Sequence, residues 1–138
     1  MTIMQYGVFL GHHAGCLRTT GESNVAIGRE ALKGTSGSAT GEKNIGVGYR
    51  AGFSVSTGTN NIIMGSEAGY AATTGSKNIF IGCCTAISGV VTGDNNIAMG
   101  TAAHKDLTSG ASNVILGNYA GGALTTATDN VILGCYAA

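Results

Sequence analysis

The chain has 138 residues, seven of them basic and seven acidic, a formal net charge of zero, and 24 glycines with no proline or tryptophan. So sparse and balanced a charge set excludes the clustered Lys and Arg that nucleic acid or an anionic membrane surface requires, and no apolar stretch approaches the roughly 20 residues of a membrane helix. Glycine without a G-X-Y period excludes collagen, and regularly spaced apolar residues exclude a disordered linker.

From the N-terminus, the first strand signal is Val8-Phe9-Leu10, closed by Gly11. The second is Val25-Ala26-Ile27, entered through Thr20-Gly21 and Asn24 and closed by Gly28. After the lengthened segment "LKGTSGSATG" come Asn44, Ile45-Gly46-Val47 and Gly48; then "TGTNNIIMGSEAG" carries Asn61, Ile62-Ile63-Met64 and Gly65. The fifth copy is Asn78, Ile79-Phe80-Ile81, Gly82, and the sixth, in "TGDNNIAMG", is Asn96, Ile97-Ala98-Met99, Gly100. Asn113, Val114-Ile115-Leu116, Gly117 and Asn130, Val131-Ile132-Leu133, Gly134 complete the series. The closing glycines are spaced 17, 20, 17, 17, 18, 17 and 17 residues apart. A fixed period of this length is the signature of a repeat array. It covers residues 1–138 as one array of about eight rungs, with no second domain.

The shared pattern is [ST]-G-x-x-N-Φ-x-Φ-G-x-x-A, where Φ is apolar. Alternation, β-branched residues and glycine at both ends predict short strands, whereas so much Gly, Ser, Thr and Asn disfavours a helix. Each closing glycine (Gly11, Gly28, Gly48, Gly65, Gly82, Gly100, Gly117, Gly134) marks a turn with positive φ or a close approach to the next rung. Asn24, Asn44, Asn61, Asn78, Asn96, Asn113 and Asn130 tolerate left-handed turns and can stack into a ladder when rungs repeat in register. Both insertions fall in the stretch before a Thr-Gly pair, which predicts an outer loop there.

The expected fold is all-β, a repetitive parallel β-solenoid (β-roll) of about eight 17-residue rungs assembling as a fibrous homotrimer. An intertwined triple-stranded β-helix is the alternative. Eight self-coiled rungs give a rod of roughly 40 Å, and three intertwined chains one of roughly 115 Å. The Φ pairs and the alanines, with Phe53 and Val55 as weaker positions, are expected to face inward. The mid-strand row, represented by Phe9, Ile63, Phe80, Ile115 and Ile132, is then expected to face outward as the interface between copies, since an exposed apolar row marks a contact surface.

These motifs resemble two groups of fibrous proteins. "NVAIG" at 24–28 and "GDNNIAMG" at 93–100 look like repeats in the heads of trimeric autotransporter adhesins, although the adhesin repeat is nearer 14 residues than 17. The longer unit "TGTNNIIMGSEAG" is more similar to glycine-rich repeats of bacteriophage and other viral tail-fibre shafts. The resemblance implies a virion fibre or shaft supporting host attachment, with itself, other virion proteins and a host-surface receptor or glycan as partners. It also implies a virion-surface location after assembly in host cytoplasm. A bacterial surface adhesin head, or another glycan- or surface-binding solenoid, is the alternative.

No residue set argues for catalysis, a cofactor or a metal, and no enzymatic activity, nucleic-acid binding or membrane insertion is expected. His12, His13 and Cys16 could ligate a metal only if they converge, and a terminal cap exposing two histidines is the favoured account. Cys83-Cys84 lacks a C-x-x-C spacing and a basic neighbour, and all four cysteines are expected to be free thiols. His104-Lys105-Asp106 is a single loop in a single copy. The start of the chain shows no charged, apolar, small-residue leader, so no secretory signal is expected. The Thr/Ser row abuts glycine turns, which suits structure better than an ice-binding face.

Overall fold

A computed structural model describes residues 6–138. The part of the predicted array at 1–5 lies outside the described residues. Eight three-residue strands, β1 (Val8–Leu10), β2 (Val25–Ile27), β3 (Ile45–Val47), β4 (Ile62–Met64), β5 (Ile79–Ile81), β6 (Ile97–Met99), β7 (Val114–Leu116) and β8 (Val131–Leu133), fall at the eight predicted positions. They form one parallel sheet in chain order, and equivalent residues pair: Ile62 with Ile79, Ile63 with Phe80, Met64 with Ile81. Since each strand pairs with the next strand of the same chain, every rung coils on its own predecessor. This is the self-coiled solenoid, not the intertwined form. The insertion at 33–39 bulges outward, with 35–38 exposed, and Val90 in the second insertion is likewise exposed.

The expected facing of the strands is inverted. Ile63, Phe80 and Ile115 are wholly buried, and Phe9 and Ile132, in the first and last rungs, pack against the same core. They are therefore not an interface. The Φ residues point outward instead, as at Val8, Leu10, Met64, Met99, Val131 and Leu133. The physical reason is parity. Side chains alternate along a strand, and the Asn two residues before each mid-strand position is itself inside, so the two share a face. Burying that face removes Phe80, Ile63 and Ile115 from water, worth about 1.5–3 kcal/mol for each side chain.

The buried asparagines carry a continuous hydrogen-bond column. Asn61 Oδ1 accepts from the Asn78 backbone N–H at 2.9 Å, and Asn78 Oδ1 accepts from the Asn96 N–H at 2.8 Å. Meanwhile Asn78 Nδ2 donates to the Gly93 carbonyl at 2.9 Å, as Asn61 does to Gly75. The glycine of each Thr-Gly pair thus supplies the carbonyl that satisfies the preceding asparagine. It must be glycine because a Cβ on Gly58 would stand 2.4 Å from the Gly75 oxygen. Closing glycines stack similarly: Gly65 has φ 129°, and a Cβ there would lie 2.6 Å from the Gly82 oxygen.

The rest of the core is filled by compensation between two positions. The fourth residue after each closing glycine faces the mid-strand column in a left-handed conformation, as at Gly52 and Gly69. A Cβ on Gly69 would meet Phe80 and Ile63. Where the mid-strand residue is alanine, this position is large: Leu32 accompanies Ala26, and His104 accompanies Ala98; Gly46, whose own rung has Gly52 here, is filled instead by Leu32 from the rung before. Ala31, Ala51, Ala68, Ala103 and Ala120 are inward as expected, and so is Val55, whereas Phe53 lies outside, stacked on Tyr70 at 4.9 Å.

Candidate interaction surfaces

The outward sheet face is the dominant surface. Its first column, from Val8 through Ile62 to Val131, is Val or Ile in every rung; its third, from Leu10 through Met64 to Leu133, is Leu, Ile, Val or Met. Ile27 and Ile45 are 36% exposed, and Met64 and Met99 40%, in the middle of the rod. No charge interrupts either column. Exposed polar residues border the face, with Lys43, Asn60, Lys77 and Asn95 on one side and Arg29, Ser66 and Thr101 on the other. An apolar centre with a polar rim is the composition of a protein–protein interface.

A second column, Thr20, Thr40, Thr57, Thr74, Thr92, Ser109 and Thr126, is exposed along the rod. The neighbouring column is partly engaged within the chain: Thr59 N–H donates to Ser76 Oγ at 3.1 Å, and Ser76 N–H to Asp94 Oδ1 at 2.7 Å.

Rungs two to four also carry a cluster of cations and aromatics. Glu30, nearly buried, accepts from Arg50 at 2.8 Å and Lys33 at 3.0 Å. The hydrogen bond from Arg50, followed by that from Lys33, holds the Glu30 carboxyl down at about 2. Lys33 and Arg50 also lie over the Phe53 ring, at 4.9 and 5.5 Å from its centroid, and Arg29 lies 5.7 Å from the Tyr49 centroid. The cluster satisfies itself, with each cation on a ring or a carboxylate.

His12 and His13 are exposed, with ring centroids 3.9 Å apart and planes tilted by 34°. Among the described residues, no three potential metal ligands converge, and no pocket opens. The His104-Lys105-Asp106 loop does not bring its side chains together: His104 is fully buried, with neither ring nitrogen hydrogen-bonded, while Lys105 is exposed. All four cysteines are free, but Cys83 and Cys84 stand with their sulfurs 2.9 Å apart. That contact was hidden in the sequence, because adjacency does not fix side-chain direction in a turn. Arg18 likewise carries no signal of its burial in the sequence. It occupies a column otherwise held by Val55, Ala72 and Leu107, is nearly buried, and donates to the Gly41 carbonyl. Desolvation lowers its pKa.

Comparison with known proteins finds no match among family models, curated proteins or solved structures.

Proposed function

We propose that this chain is a structural fibre or shaft element of a virion, a phage tail fibre or similar appendage, working as a homotrimer that supports host attachment. The observation that carries this is the pair of unbroken aliphatic columns on the outer face of the sheet. Turned toward a common axis, three parallel chains set the β-branched first column of one against the longer third column of the next. Such a heterologous contact closes after three steps into a ring. Every rung contributes equally, so the assembly is a rod whose contacts run its whole length. Other virion proteins and a host-surface receptor or glycan are its proposed partners, and it has no catalytic role. The setting, assembly in host cytoplasm and display on the virion surface, follows from the resemblance of "TGTNNIIMGSEAG" to tail-fibre repeats and from free cysteines, which suit a reducing compartment.

Light scattering tests the assembly. The trimer mass is expected for the native chain, and a folded monomer for the Met64→Lys, Met99→Lys double variant, whose side chains lie outside the core. A well-folded native monomer at micromolar concentration would sink the proposal. Gold-labelled antibody tests the setting: label on virions supports it, and label confined to a bacterial envelope favours the adhesin.

A further inference from the structure

The thiols of Cys83 and Cys84 lie in the turn after β5, outside the aliphatic face. Cys83 is exposed and Cys84 half-buried, with their sulfurs 2.9 Å apart. Cys84 has a left-handed backbone, φ 58°. Its thiol, hydrogen-bonded to the Cys83 sulfur, is pushed up to about 11. Cys16 and Cys135, the only other cysteines, belong to the first and last rungs.

The peptide group joining the pair has a specific place in the fold. Its carbonyl, on Cys83, accepts from the Ala102 N–H at 2.9 Å, and its N–H, on Cys84, donates to the Ser66 carbonyl at 3.0 Å. One peptide therefore ties the fifth rung to both the fourth and the sixth. Neighbouring Cα atoms are about 3.8 Å apart, short of the roughly 4.4–6.8 Å over which disulfides form without strain. Closing a disulfide here distorts that peptide. A ring between neighbours also closes the shortest possible loop, so it removes little entropy from the unfolded chain to offset the strain.

We propose that Cys83 and Cys84 form a reversible oxidation site, a vicinal dithiol that a small-molecule disulfide converts to a strained internal disulfide, loosening the hydrogen-bond ladder at mid-height of the solenoid. Cys83, its proton released to solvent, attacks one sulfur of the small disulfide; that S–S bond breaks, a mixed disulfide forms, and one small thiolate leaves and is protonated. Cys84 then gives up its proton and attacks the Cys83 sulfur, expelling the second small thiolate. Two protein thiols are oxidised, and one small disulfide is reduced to two thiols. Strained, exposed disulfides are the readily reduced kind, so excess small thiol reverses the step.

The full chain, treated with oxidised glutathione, is alkylated and digested with trypsin. Cleavage after Lys77 and Lys105 isolates residues 78–105, which hold both cysteines and no others. The expected peptide is unalkylated and two hydrogens lighter than the reduced one, and reduced glutathione restores two alkylation sites. The oxidised chain is expected to melt below the reduced chain. Cys83→Ser and Cys84→Ser, checked for native circular dichroism, should each give a single glutathione adduct and no ring. A native peptide carrying two glutathiones, or bonded only to Cys16 or Cys135, overturns the proposal. So does an internal disulfide that leaves the melting temperature unchanged.

Discussion

Phe80 is the largest side chain wholly enclosed by the solenoid, so its truncation should register in the single chain whether or not copies associate. Phe80→Ala should cost about 3–5 kcal/mol, transfer plus cavity, read by urea unfolding followed by circular dichroism. Phe80→Asp, which forces an unpaired carboxylate into that space, should give no folded chain; a folded variant that merely fails to associate would restore the outward placement of this row. His104 makes a different prediction. Burial pushes its pKa from 6.5 to about 4, with no partner on either nitrogen. The folded value lies below the unfolded one, so the unfolded chain takes up the proton first as pH falls. The contribution is complete above 6.5, declines between 6.5 and about 4, and levels off below. The total loss is up to about 3 kcal/mol, and His104→Leu should abolish this part of the pH profile. Glu30 acts in a lower window. Its depressed carboxyl stabilises above 4.5, and that contribution fades as pH falls toward about 2.

The single rung is a tight circuit in which turn, strand and ladder depend on one another. Gly65→Val puts a β-branched residue at φ 129° and a Cβ 2.6 Å from the Gly82 oxygen. The backbone strain alone is worth about 1–3 kcal/mol, and the clash adds to it; an unaltered melting temperature would refute the turn assignment. Asn78→Ala strands the Gly93 carbonyl and the N–H of Asn96. At about 1–3 kcal/mol for each buried orphan, it should exceed the cost of Thr74→Ala on the exposed hydroxyl column, compared by thermal melting. The strands themselves were legible because Gly, Asn and the apolar pair recur at fixed offsets, and every strand fell where the period placed it. Which face lies inside was not, since alternation gives two faces without saying which is which, and both were apolar. The asparagine held the answer. A ladder of buried amides forces the residue two positions later inward, and that step links Asn61 to Ile63 and Asn78 to Phe80. The compensation of Ala26 by Leu32 and Ala98 by His104 was out of reach for a different reason: it needs to be known that the mid-strand and fourth post-glycine positions meet. Of the surfaces, the aliphatic character of both columns could be read directly, while the Cys83–Cys84 contact depends on rotamers in a left-handed turn.

At the scale of the whole chain, each strand touches only the one before and the one after, the condition under which stability becomes a sum over rungs and their interfaces. The end strands are the least covered, with Val8 52% and Val131 70% exposed. Hydrogen exchange of the isolated chain should therefore be slowest at the β4–β6 amides and accelerate toward β1 and β8; uniform protection would mean the array opens as one unit. The asparagine column has one more consequence. In every step from Asn24 to Asn130, the amide oxygen accepts from the backbone N–H of the following rung. The column is therefore a one-way thread: each asparagine oxygen faces the rung that follows it, so a rung laid in reverse would set oxygen against oxygen and leave its own N–H without an acceptor.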